Sequence, residues 1–153
     1  MSLYLVRHAK AGSRSNWVGD DTERPLSNDG WHQAQLLGAK LAKRSPSTLL
    51  SSPYLRCIQT LEPLAERCGL EVLPEKRLEE GAAFEPVLEV LTEVPDGAVL
   101  CSHGDIIPEA IAALQRRGCE ILTTVDWRKA TVWRIERAAT GEFVSAKVSR
   151  PPA

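Results

Sequence analysis

The sequence has almost no net charge, no long apolar run, no paired cysteines and only three histidines, and each shortage removes a class of function. Nineteen Lys and Arg stand against twenty Asp and Glu, a formal net charge of -1, so no global field draws the chain to a nucleic-acid polymer or an anionic membrane. Any anion site must be local. Leu3-Tyr4-Leu5-Val6 meets Arg7 too early to be a signal-peptide core or a membrane span, so a cytoplasmic protein is expected. Cys57, Cys68, Cys101 and Cys119 make no C-x-x-C pair and read as small buried hydrophobes. The residues six places after them are Pro63, Pro74, Ile107 and Val125, which excludes a C-x5-R phosphate loop. G-x-G-x-x-G, G-x-x-x-x-G-K-[ST] and H-E-x-x-H are also missing, so no dinucleotide, P-loop or metal site is expected, and no cofactor.

What remains is an ordinary globular composition, 43% hydrophobic and 25% charged, in a length that suits one domain. That domain is expected over residues 1–149, with Arg150-Pro151-Pro152-Ala153 as a tail. Strand-like and helix-like segments alternate along it. Leu3 to Val6 reads as a strand and Lys10 to Pro25 as a long loop, after which Ser27 can cap a helix carrying Ala34, Leu37 and Leu41. Thr48-Leu49-Leu50 is a second strand. Tyr54 to Cys68 has a helical apolar face on which Pro63 should kink the helix or start a new one. Glu71 to Leu73 forms a short strand, Pro86 suits a first helical turn, Ala98 to Cys101 is another strand, and Ile106 to Arg117 is helical. Thr131 to Ile135 and Phe143 to Val148 alternate like a hairpin. The expected fold is α/β, a three-layer α/β/α sandwich with a mainly parallel central sheet and an antiparallel edge.

In such a sheet the ligand crevice lies at the carboxyl ends of the strands. Three of those ends hold unusual polar residues: Arg7-His8-Ala9-Lys10, then Ser51-Ser52-Pro53 leading to Arg56, then Ser102-His103-Gly104-Asp105. Two histidines and two arginines at separate strand ends share no structural task. A phosphoryl group needs that set, cations for its oxygens and an imidazole for in-line attack. His32 falls in an amphipathic helix and reads as a surface residue.

These residues also carry a resemblance. Leu5-Val6-Arg7-His8-Ala9, Arg24-Pro25-Leu26-Ser27 with Gly30, Ser51-Ser52-Pro53 with Arg56 and Gln59-Thr60, and Ser102-His103-Gly104 resemble the ordered motifs of the histidine phosphatase superfamily, which includes phosphoglycerate mutases. Arg-His-Ala-Lys and the short chain resemble its small phosphohistidine phosphatases. Gly19 to Leu26, Arg56 to Ala65 and Arg128 to Trp133 are similar to the phosphatase domain that follows a Nudix domain in actinobacterial MutT-like proteins.

The resemblance implies a metal-independent phosphatase acting through a phosphohistidine. Cationic neighbours penalise a protonated imidazole, which suits His8 as the nucleophile. His103 with Arg7 and Arg56 then clamps the transferring group. The family's acid, a carboxylate in a Leu-x-Glu pattern, corresponds to Glu80 of Leu78-Glu79-Glu80, with Glu79 and Asp105 as alternatives. Ser13, Arg14 and Asn16 on the long loop, and Lys129 ahead of a strand, are candidate substrate contacts. The expected partner is a phosphorylated small molecule, a nucleotide or a phosphohistidine protein, and the expected state a monomer. The alternatives are a nucleotide phosphohydrolase related to MutT-like proteins and a non-catalytic phosphate-binding module.

Overall fold

The computed structural model describes all residues, 1–153. Strand β1 (Ser2–Arg7) buries Leu3 and Leu5 on one face and Tyr4 and Val6 on the other, as a central strand must. The chain continues through α1 (Asn28–Ala42), β2 (Leu49–Ser51), α2 (Leu55–Cys68), β3 (Val72–Pro74), α3 (Phe84–Glu93), β4 (Val99–Ser102) and α4 (Ile106–Arg116). It closes with β5 (Glu120–Ile121), β6 (Val132–Arg137) and β7 (Phe143–Ser149). Helices α1 and α2 pack on the face bearing Tyr4, Val6, Val99 and Cys101, while α3 and α4 cover Leu3, Leu5 and Leu100, giving three layers. No helix is long and apolar enough to cross a membrane.

The seven strands lie in the order β3-β2-β4-β1-β6-β7-β5. Only β6 runs against the common direction, so the antiparallel strand is internal, paired with β1 and β7, rather than at the edge. The edge beyond the hairpin is β5, two residues too short to leave a periodic trace in the sequence. Helix α2 is continuous through Pro63, so no new helix starts there. That proline is buried in the α1–α2 interface, close to Gly38, and packing there outweighs the one backbone bond it removes. Cys57, Cys101 and Cys119 are buried as expected, but Cys68 is only partly so, because it lies at the last turn of α2.

The long loop is fastened at both ends. Ser27 Oγ accepts from the Gly30 N–H at 3.1 Å, a cap worth about 1 kcal/mol. The Ser27 N–H donates to the Lys10 carbonyl at 2.9 Å and the Gly12 N–H to the Pro25 carbonyl at 3.2 Å, laying residues 10–12 against 25–27. Gly30 is required by this contact, since a Cβ there would stand 1.8 Å from the Lys10 carbonyl oxygen.

Candidate active site

Strands β2, β4 and β1 are adjacent and parallel, with Ser51 opposite Cys101 and Arg7 opposite Ser102, so the residues that follow them emerge side by side. This brings Ser52, His8 and His103 together. Strand β6, antiparallel to β1, begins at the same end. The Ala130 N–H donates to the carbonyls of both Arg7 and His8 at 3.2 Å, which fixes Lys129 beside them. A cavity of about 450 Å³ opens here, lined by Arg7, His8, Arg14, Arg24, Glu80 and Lys129 among others.

His8 is buried, and its Nδ1 lies 2.7 Å from the Ala9 carbonyl oxygen, so Nδ1 carries the proton and Nε2 keeps its lone pair. Burial pushes the imidazole down to about 3, with His103, Arg56 and Arg7 acting in the same direction against the Ala9 carbonyl. The ring is therefore neutral at pH 7. An unfolded chain takes up this proton near the ordinary 6.5, whereas the folded chain resists to about 3. Folded stability is therefore lost as pH falls through that window, by up to about 1.4 kcal/mol per pH unit. Urea unfolding at pH 7 and pH 5 should show a fall of about 2 kcal/mol that His8→Gln lacks. The same fall in both proteins would mean that His8 does not resist protonation.

Three cationic or imidazole groups surround His8. The His103 ring meets it edge-on with centroids 5.5 Å apart, and its Nε2 lies 2.8 Å from Ser52 Oγ. Arg7 donates from Nη1 to the Trp127 carbonyl, and its guanidinium passes directly over Gly104. A Cβ at Gly104 would stand 2.4 Å from Arg7 Cζ, so the glycine that follows His103 is what lets Arg7 into the site. Arg56 is fully buried, stacked 4.9 Å from the Tyr54 ring, with Nη1 donating to the Asp21 carbonyl at 2.9 Å and Nη2 to Asp21 Oδ2 at 3.1 Å. Arg7 Nε, Arg56 Nε and His103 Nδ1 are all buried with no partner in the protein. A buried N–H without an acceptor costs about 1–3 kcal/mol, and a phosphoryl group brings three anionic oxygens.

The outer residues divide. Glu80 lines the cavity and pairs with Arg14 at 3.0 Å and Arg56 at 3.4 Å. Glu79 lies outside the lining, and Asp105, although within it, uses Oδ2 to accept from the Gly81 N–H at 2.7 Å. Ser13, Arg14 and Lys129 line the cavity; Asn16 does not. The loop turns back on itself there, with the Trp17 indole N–H donating to the Asp20 carbonyl at 2.9 Å, and carries Asn16 out to solvent. The sequence reading gave Arg24 and Ser52, both within its motifs, no role in the site, and it missed Asp21. Arg24 is buried, donating from Nε to Asp21 Oδ1 at 2.9 Å and from Nη1 to the Gly12 carbonyl at 2.5 Å. Its place in the Arg24-Pro25-Leu26-Ser27 motif was an available signal. Asp21 had none, since only the fold shows that its carboxylate lies among Arg24, Arg56 and Arg14.

A His-centred, cation-lined crevice at the ends of a parallel sheet defines a class, and the chain belongs to the histidine phosphatase superfamily. Residues 3–87 match the model of the histidine phosphatase superfamily (branch 1). The chain is 34% identical over 158 residues to the 8-oxo-(d)GTP phosphatase of Mycolicibacterium smegmatis, covering 99% of this chain and 48% of that protein. It is 26% identical over 132 residues to a probable phosphoglycerate mutase of Serratia proteamaculans, covering 72% of this chain and 61% of that one. The chain thus spans about half to three fifths of the length of these curated relatives. Among solved structures, the protein histidine phosphatase SixA complexed with tungstate matches with a TM-score of 0.73 at 21% identity, over 98% of this chain and 95% of that one. A mycobacterial glucosyl-3-phosphoglycerate phosphatase matches with a TM-score of 0.69 at 19% identity, over 97% and 96%. At these identities the likeness is one of fold.

Proposed function

We propose that the chain hydrolyses a phosphate ester or phosphoramidate without a metal, through a phosphohistidine on His8. The observation that carries this reading is the His8 lone pair at Nε2 beside three buried, unpartnered nitrogens on Arg7, Arg56 and His103. In the first step Nε2 attacks phosphorus in line while the Ala9 carbonyl holds the Nδ1 proton. Arg7, Arg56 and His103 neutralise the equatorial oxygens, supplying the charge that a metal supplies in other phosphoryl-transfer sites. An incoming phosphate competes for Arg14 and Arg56, which releases Glu80 to carry a proton to the leaving oxygen. Water then attacks the phosphohistidine with Glu80 as base.

Rapid quenching with a labelled substrate tests the reading. One phosphoryl group should be trapped, stable in alkali and lost in acid, and turnover should survive a strong chelator. A label that survives acid would overturn it. The acid is tested separately. A positioned acid contributes roughly a hundredfold to ten-thousandfold for an alkoxide leaving group and little for an activated phenolate. Glu80→Gln should therefore slow single turnovers of an alkyl phosphate far more than those of p-nitrophenyl phosphate. Equal losses would take Glu80 out of the role, and a selective loss in Glu79→Gln would move it there.

A nucleotide phosphohydrolase is the second reading. It is favoured by the relative named as an 8-oxo-(d)GTP phosphatase, whose alignment covers 99% of this chain. Turnover of nucleotides ahead of phosphohistidine peptides and sugar phosphates in one panel is its expected mark.

A further inference from the structure

One transferred phosphoryl group accounts for only part of the cavity's positive charge. Lys10, Arg24 and Lys129 also line it, the first two from opposite ends of the long loop and the third from the segment ahead of β6. Each is tied to the surroundings of His8. Lys10 lies two residues beyond it, Arg24 donates to the Gly12 carbonyl of the same loop, and Lys129 precedes Ala130, whose N–H donates to the His8 carbonyl. Two carboxylates share the cavity, but Glu80 is paired with Arg14 and Arg56 and Asp105 accepts from the Gly81 N–H, so the charge of the three is only partly matched within the chain. The pairing of Lys10 is with exposed Asp29 at 3.7 Å, and Arg24 shares Asp21 with Arg56. Partial burial, with the neighbouring cations Arg7, Arg24, Lys10 and Arg14, pushes the Lys129 ammonium below its ordinary range. In a protein with a net charge of -1, such a cluster is costly to hold unless an anion joins it.

We propose that Lys10, Arg24 and Lys129 form a second anion subsite beside His8, which receives the phosphate adjoining the one transferred, so that the substrate carries a diphosphate. The proposal rests on phosphoryl transfer to His8 as set out above. His8 Nε2 forms a bond to the terminal phosphorus, the bond from that phosphorus to the bridging oxygen breaks, and its electron pair leaves on the inner phosphate. Water then adds to the phosphohistidine, the P–N electron pair returns to Nε2, and both water protons depart with orthophosphate. A phosphate leaving group departs as an anion that cations can neutralise, so it demands less of an acid than an alkoxide does. That suits a cavity in which Glu80 is paired with two arginines. A simple monoester or a phosphohistidine brings no second phosphate for these three cations to meet.

Calorimetric binding of three probes tests the subsite independently of turnover: methylphosphonate, methylenediphosphonate and 1,3-propylenediphosphonate. Methylenediphosphonate should bind the wild-type protein at least about tenfold more tightly than methylphosphonate, the scale of one hydrogen bond to a charged group. Lys129→Ala and Lys10→Ala, both at exposed side chains, should each remove most of that preference. Equal binding of the mono- and diphosphonate, or a preference that survives both substitutions, would overturn the subsite. Tighter binding of the propylene analogue would show that the second phosphate is not adjoining and would overturn the diphosphate assignment. Should the diphosphonate preference hold while no phosphohistidine can be trapped, the site binds diphosphates without transferring them, and the catalytic reading fails on its own.

Discussion

His8→Ala should lower turnover of p-nitrophenyl phosphate by on the order of 10⁴ to 10⁶, the loss seen when a nucleophile that works as part of a unit is removed. No other group in the cavity can replace it. His103 is the nearest imidazole, but its Nε2 is engaged by Ser52 Oγ at 2.8 Å and its ring is almost wholly buried. The alanine protein should still bind inorganic phosphate, because Arg7, Arg56 and His103 remain, and it should leave no trapped label after rapid quenching. Binding separates loss of chemistry from loss of fold. Turnover within tenfold of wild type, or an undiminished label, would remove His8 from the mechanism.

Arg56→Ala carries the second-largest expected effect, a loss of roughly a hundredfold to a thousandfold in kcat/KM, the scale of one transition-state donor. Lysine should restore only part of it, since a point charge cannot reproduce the two-pronged guanidinium. Arg56 also ties down the Asp21–Glu23 turn through the Asp21 carbonyl and carboxylate, so some of the loss could be structural. Asp21→Asn separates the two effects. It weakens the same tie while leaving the guanidinium in place, so it should cost far less than Arg56→Ala if Arg56 contacts the phosphoryl group. Matching losses in the two variants would make Arg56 a positioning residue instead. Unfolding in urea should show Arg56→Ala destabilised by on the order of 2 kcal/mol, because a buried side chain with three acceptors is being removed.

The strands and the groups that close them were legible in the sequence because their signal is local. A strand buried on both faces must be apolar at consecutive positions, and the polar residues immediately after Val6, Leu50 and Cys101 therefore mark its carboxyl end. Parallel neighbours then had to present Arg7, His8, Ser52 and His103 on one edge, whatever the details of packing. The Ser27 cap and the helical first turn at Pro86 were equally local and were read correctly.

Tertiary structure alone decided the rest. Pro63 stays within one helix because α1 packs on it, and β6 is an inner strand because β1 and β7 pair on its two sides, with two-residue β5 covering β7 in turn. Asn16 is turned outward by a contact between Trp17 and Asp20, while Asp21 is drawn in by three arginines from different parts of the chain. Lys10, Arg24 and Lys129 are separated by as much as 119 residues, and their shared field arises only when the sheet sets them around one cavity. Periodicity and capping are properties of neighbours in sequence and can be read from it. The sum of charges at a point depends on distances in space, and those exist only once the chain has folded.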